Sequence, residues 1–184
     1  MTIALRHAMT VDEFLGWAST QPEAPRAELI NGQVVMMASE RVVHNRLKAS
    51  AFIALRDALA RSGITGEAFI DGLTVLIDAF TAYEPDATVV LGAPLDGNGM
   101  TITDPVIVVE VISPTSAHSD TSAKLIGYFK LPSVLHYLVI DPDARAVTHH
   151  ARTADDRVVA RILDAGPLTL DPPGLVIEIA ELFA

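Results

Sequence analysis

The sequence predicts a single α/β domain: a mixed central sheet with helices covering its faces. Three observations carry this reading. Residues 11–18 and 43–59 place apolar side chains at helical spacing. Residues 105–112 and 135–140 are nearly continuous apolar runs, as in strands buried on both faces. Asn31-Gly32, between two apolar segments, marks a hairpin turn. The chain has 184 residues, half of them hydrophobic and 20% charged, so residues 1–184 are read as one domain with a sizeable core.

The elements follow in order. Thr10-Val11-Asp12-Glu13 reads as a capping box, with Val11, Phe14, Leu15 and Ala18 on one helical face and Trp17 as an anchor. This helix should stop before Pro22. Residues 27–30 and 33–37 form the two arms of the hairpin. A long helix spans residues 40–62, with Val43, Leu47, Ala51, Ala54, Leu55, Ala58 and Leu59 as its apolar stripe and Gly63 as its end. Residues 74–77 and 86–91 are strands, and residues 92–99 a loop. The buried strand over 105–112 precedes a helix that opens at Asp120 and runs to Leu131 before Pro132. Residues 135–140 form another buried strand. The alternating segments 146–152 and 157–163 suit a hairpin at a sheet edge. Pro172-Pro173-Gly174 is a turn, and residues 175–183 close the chain.

Composition narrows the function classes. There is no cysteine, which excludes disulfides and thiolate metal sites. No apolar run reaches the roughly 18 residues of a membrane span, and Met1 to His7 lack the plan of a signal peptide. A cytoplasmic protein without membrane contact is expected. The net charge of −10 lacks the basic footprint of an ordinary DNA-binding protein. Arg41, Arg46, Lys48, Arg56 and Arg61 concentrate basic charge on the long helix. A solvated helix face is the favoured reading there, with a phosphate-facing surface as the sharper one. The apolar fraction and the C-terminal Leu182-Phe183-Ala184 suggest a two-fold homodimer.

One stretch concentrates chemistry. Glu110 lies inside an apolar strand, where a carboxylate is costly unless paired or metal-bound. Asp86 follows Pro85 at the start of its own strand. If the two strands are neighbours, their carboxylates converge, and two hard oxygen donors suit magnesium or manganese. Lys124 shares a helical stripe with Tyr128 and Leu131 and, in the first turn of its helix, can reach the same place. From the spacing alone, a structural Lys124–Glu110 ion pair or a solvated Lys124 is the favoured reading.

Tyr83-Glu84-Pro85-Asp86, the run from Asp104 through Ser116 around Glu110, residues 120–124, Tyr128 and His136-Tyr137-Leu138-Val139-Ile140-Asp141 together resemble the Uma-two family of bacterial restriction-endonuclease-like proteins. The resemblance runs from Glu28 to Gly174. It implies the PD-(D/E)xK nuclease fold, a mixed central β-sheet flanked by α-helices, here with an N-terminal helix and hairpin. In that superfamily two acids hold a divalent metal and a lysine assists attack on a phosphodiester. Asp86 and Glu110 match the acids and implied metal ligands. The usual lysine position, two residues after the second acid, holds Ile112; the resemblance implies that Lys124 replaces it from the following helix. Glu28 and His44 are implied supporting residues, although Glu28 also suits a hairpin charge facing water and His44 a hydrogen-bonded structural histidine. Tyr128 reads as core, its hydroxyl near the site. Ser113 suits a strand-to-loop cap rather than a nucleophile, and His149 and His150 alternate faces, so they make a poor metal pair.

Three functions compete. The first is a magnesium- or manganese-dependent endonuclease with catalytic Asp86, Glu110 and Lys124, acting on DNA in preference to RNA. The second is a non-catalytic binding or assembly module that retains the fold, favoured by the acidic charge and by Ile112. The third is a metal-dependent hydrolase of small phosphate esters.

Overall fold

The computed structural model describes residues 8–21, 26–112 and 119–184. The expectations for Met1 to His7, Pro22 and Ser113 lie outside the described residues. The elements are α1 (Val11–Ser19), β1 (Ala27–Ile30), β2 (Gln33–Met36), α2 (Val42–Ser62), β3 (Gly66–Ile70), β4 (Thr74–Asp78), β5 (Thr81–Tyr83), β6 (Ala87–Leu91), β7 (Thr101–Ile102), β8 (Ile107–Val111), α3 (Ser119–Tyr128), β9 (His136–Asp141), β10 (Ala146–Arg152), β11 (Val158–Leu163), β12 (Pro167–Leu170), β13 (Leu175–Glu178) and α4 (Ile179–Leu182).

Six strands in the order β11-β10-β9-β8-β6-β3 form the central sheet. It is mixed: β8 and β9 run parallel, and the other neighbours antiparallel. The β8–β9 connection carries α3, as parallel neighbours require a crossover. A second sheet, β2-β1-β5-β4-β7, begins with the expected hairpin. Its turn has Asn31 at φ 49° and Gly32 at φ 77°, the paired positive angles of a type I′ turn. The third sheet is the β12–β13 hairpin.

Pleating divides the core. Ile107, Val109 and Val111 of β8 pack with Leu47, Ala51, Ala54, Leu55, Ala58 and Leu59 of α2, and with Leu168, Leu170, Leu175 and Ile177 of the β12–β13 hairpin. Each fully buried leucine of that stripe stabilises the fold by about 2 kcal/mol. Val108 faces the other way, toward Val75, Tyr83, Tyr128, Tyr137 and Val139. The apolar run of β8 thus reflects burial from both sides, with α2 over one face and α3 and the second sheet over the other.

Local signals account for the helix ends. Thr10 and Glu13 form the expected capping box on α1. Gly63, at φ 68°, ends α2 in the left-handed conformation that favours glycine. Three expectations need correction. α2 starts at Val42, so Val43 sits on its exposed first turn, off the core stripe. α3 ends at Tyr128 rather than Leu131; the 128–134 segment continues as tight turns, with Lys130, Leu131 and Val134 each bonding three residues back. α3 also begins at Ser119, which moves Lys124 from the first turn to the second. The strands β3, β5, β7, β12 and β13 are additional to those expected; they are short or only partly buried. No described helix is long and apolar enough to cross a membrane.

Candidate metal and phosphodiester site

Asp86 stands one residue before β6. Its N–H donates to Val109 O at 3.1 Å, extending the ladder beyond the pair Ala87↔Val109. Continued by one pair, that register sets Asp86 opposite Glu110, so the neighbouring strands expected from sequence do meet here. Both acids line one cavity of about 410 Å³, along with Glu28, Glu40, His44 and Lys124.

Glu110 is buried, and Lys124 Nζ donates to its two oxygens at 3.0 and 3.1 Å. The Tyr128 hydroxyl donates to Glu110 Oε1 at 2.8 Å. These two side chains, four residues apart on α3, form the inward stripe that the sequence spacing suggested. Burial drives the Glu110 pKa up to about 8, with Lys124 opposing and Asp86 and Glu28 reinforcing the rise. Burial and the facing carboxylates also push the Tyr128 hydroxyl well above its ordinary range, so it remains a donor.

Glu28, from β1, is buried instead of facing water as a hairpin charge. Its Oε1 accepts from Glu84 N–H at 2.8 Å and lies 3.0 Å from Lys124 Nζ. Lys124 therefore bridges two carboxylates from different sheets.

Asp86 has a different environment. Its Oδ2 accepts from Val111 N–H at 2.6 Å and lies 3.1 Å from His44 Nε2; its Oδ1 lies 2.8 Å from Lys48 Nζ. Burial alone would raise the Asp86 pKa, but the His44 contact and the Lys48 charge outweigh it and hold Asp86 below the usual carboxylate value. The two opposed acids are thus driven apart, Asp86 toward the charged form and Glu110 toward the neutral one.

Lys48 corrects the reading of the α2 basic residues as a solvated face. It is 1% exposed and pairs with Glu40, Asp71 and Asp86. Burial pulls its pKa down, yet the carboxylates more than compensate and raise it. The sequence did carry a signal: Lys48 stands three and seven residues before Ala51 and Leu55, on the buried stripe, where a charge needs partners. Arg26 extends the network to Asp71 and Glu84, its Nε lying 2.7 Å from Glu84 Oε1. The remaining α2 cations behave as surface groups: Arg41 and Arg46 are exposed, Arg56 pairs with Asp57, and Arg61 pairs with Glu181.

Among the described residues, six acids (Glu28, Glu40, Asp71, Glu84, Asp86 and Glu110) meet three fixed cations (Arg26, Lys48 and Lys124). His149 and His150 do diverge; His149 instead meets His136, with Nε2 2.9 Å from His136 Nδ1.

Comparison with known proteins bears on the fold and the family. A crystal structure described as "a putative nuclease belonging to DUF820 from Anabaena variabilis ATCC 29413" superposes with a TM-score of 0.75 over 95% of this chain and 97% of that one, at 20% identity, which establishes a shared fold. The uncharacterized protein sll1609 of Synechocystis sp. (strain ATCC 27184 / PCC 6803 / Kazusa) is 27% identical over 158 residues, 84% of this chain and 87% of its own length. The family model Uma2, described as "Putative restriction endonuclease", matches residues 11–181, so this chain belongs to the Uma2 family.

Proposed function

We propose that this protein is a divalent-metal-dependent nuclease that hydrolyses phosphodiester bonds at the Asp86–Glu110 site. The observation that carries the reading is the convergence of these two acids, from neighbouring strands, on an open cavity in an acid-rich cluster. The donor set fits magnesium or manganese: carboxylate oxygens dominate, and the local excess of acids over fixed cations favours another cation. Asp86 and Glu110 would hold the ion, which when bound supplies Lewis-acid polarisation of the phosphate.

The chain's own groups supply the rest. Lys124 positions an ammonium between Glu28 and Glu110, where negative charge develops on a cleaved phosphate. Tyr128 orients Glu110 through its hydroxyl. Val111 N–H fixes the Asp86 rotamer, and Lys48 keeps Asp86 ionised from behind. Glu28 anchors Lys124 against the β5–β6 connection through Glu84 N–H.

DNA is the proposed substrate in preference to RNA, in line with the family's description. Residues 1–184 are proposed to act as one domain in the cytoplasm, and as a two-fold dimer. Val158, Val159 and Ile162 on the outermost strand, β11, support the dimer through their exposure. A second reading, a binding or assembly module without turnover, is favoured by one observation: both Glu110 oxygens already have donors, as in a structural ion pair.

Cleavage of single-stranded, duplex and structured nucleic acid, with and without magnesium, separates the two readings, and Glu110→Ala controls for a contaminant. In Lys124→Met, metal affinity should survive or rise while turnover falls about 100-fold or more. Undiminished turnover with the fold intact would remove Lys124 from the mechanism.

A further inference from the structure

We propose that β11 is a self-pairing edge. It adds to β11 of a second copy of this chain, antiparallel about a two-fold axis at Ala160, so that two six-stranded sheets become one continuous sheet. The pairing gives the dimer named above an interface and a register, and it is independent of the nuclease chemistry.

The edge is open. β11 is the outermost strand of the central sheet and is bonded to β10 on one side. Val158, Val159 and Ile162 are exposed on it, Ile162 at 77%. By the pleat, Val158 and Ile162 share one face and Val159 lies on the other. An edge with exposed apolar side chains on both faces is a template for another strand.

Hydrogen bonding decides which groups look outward. Thr153 N–H donates to Arg157 O at 2.7 Å, one pair beyond Arg152↔Val158. Arg157 therefore turns its backbone groups toward β10, and so, at two-residue intervals, do Val159, Arg161 and Leu163. The N–H and C=O groups of Val158, Ala160 and Ile162 point away from the sheet.

A two-fold copy must satisfy those groups with the same three residues. An axis at Ala160 sets Val158 opposite Ile162 of the second copy and Ala160 opposite its own copy, so every outward donor meets an outward acceptor. The Val158–Ile162 pairs fall on one face. On the other, Arg161 lies opposite Val159 and Arg157 opposite Leu163, where the arginine stems cover apolar surface. Moving the axis by one residue leaves outward groups unpaired and opposes like charges: Arg157 faces Arg161 for an axis at 159, and Arg161 faces itself for an axis at 161. Asp156 has left the ladder at φ 61° and pairs with Arg152, so it is not turned toward Asp164 of the second copy. Seven strand spacings of about 4.8 Å separate the two β8 strands, roughly 34 Å, too far for one phosphodiester to reach both Glu110 side chains.

Light scattering and cysteine cross-linking test the pairing. Wild type should be a dimer. Ile162→Lys should keep the circular dichroism of wild type and weaken association about tenfold or more, since it removes both Val158–Ile162 pairs. The chain has no cysteine, so introduced thiols report alone. Val159→Cys mixed with Arg161→Cys should give a covalent dimer under mild oxidation, because opposed Cα atoms about 4.5 Å apart are within disulfide reach. Neither variant should cross-link by itself. Wild type that stays monomeric at high micromolar concentration overturns the pairing, as does a dimer indifferent to Ile162→Lys. A dimer without a cross-link in the mixture, or with one in either variant alone, overturns the register at Ala160. None of these readouts needs cleavage, so the nuclease reading stands or falls separately.

Discussion

Gly127 gives the sharpest test of how α3 delivers Lys124. A Cβ added there would lie 2.5 Å from Tyr83 Cε2 and 2.8 Å from Tyr83 Oη. Carbon atoms rest roughly 3.5–4.0 Å apart, so Gly127→Ala requires the helix or the ring to give by about 1 Å. Tyr83 is 3% exposed and packs edge-on against Tyr128, with ring centroids 5.2 Å apart, so the ring has little room. The helix is then the part that moves. The same displacement stretches the 3.0 Å Lys124–Glu110 and Lys124–Glu28 contacts to about 4 Å, beyond hydrogen-bonding range. Overpacking costs about 1–3 kcal/mol, and the better helix propensity of alanine offsets up to about 1. A net loss of about 1–2 kcal/mol should appear in urea denaturation. Metal-dependent cleavage should fall about 10- to 100-fold, since misplacing one group by an ångström can have that effect. Gly16, on α1, is the control: a Cβ there meets nothing within 4 Å, so Gly16→Ala should stabilise slightly. A Gly127→Ala protein as stable and as active as wild type would refute the argument that Gly127 sets the approach of α3.

Two further outcomes follow from the buried charges. Lys48→Met should destabilise the fold by about 3–5 kcal/mol in denaturant titration, because Asp86, Asp71 and Glu40 lose their shared ammonium; a loss under 1 kcal/mol would show that the acids are compensated otherwise. His149 gives acid sensitivity. Burial first, then His136, Arg161 and His150, hold its pKa down at about 4 against an ordinary 6.5. The folded state thus binds fewer protons than the unfolded one between those values. Stability is retained above about pH 6.5 and lost as the pH falls toward 4, by at most about 3 kcal/mol. His149→Gln should flatten that slope in thermal melts at pH 4–7, and an unchanged slope would exclude His149 as its source.

The legible parts of the fold were those where local chemistry decides the outcome. Thr10 and Glu13 satisfy each other's backbone donors, Asn31-Gly32 accepts the turn angles, and the α2 stripe repeats at helical spacing whatever packs on it. The doubly buried run of β8 placed Glu110 where only a partnered carboxylate is tolerated, which led to Lys124 and Asp86. Lys48 escaped because two of its three partners come from far along the chain: Asp71 and Asp86 meet it only where the 66–91 segment lies across α2. The pairing of His136 with His149 likewise depends on β9 and β10 lying side by side. In both cases the residue type was visible but its neighbour was not. The end of α3 was misplaced for a related reason: Pro132 forbids a helix beyond it, but it does not require one up to it.

The lysine position joins these threads. A lysine at 112 would stand on the face of Glu110, two residues along the same chain. Ile112 instead packs into the apolar cluster of Tyr83, Tyr128 and Tyr137. That cluster is what α3 rests on: Tyr128 lies between the other two rings, 5.2 Å from Tyr83 and 5.3 Å from Tyr137. The Lys124 contact with Glu110 therefore demands a helix seated deeply enough for the side chain to span to β8. The seat is apolar, supplied in part by Ile112. Gly127 removes the last obstruction at Tyr83, and the Tyr128 hydroxyl locks the seated helix to Glu110. Ile112, Gly127, Tyr128 and Lys124 thus act together in seating α3 against β8. A lysine substituted at 112 would bring a second ammonium against that aromatic seat, so Ile112→Lys should destabilise the fold.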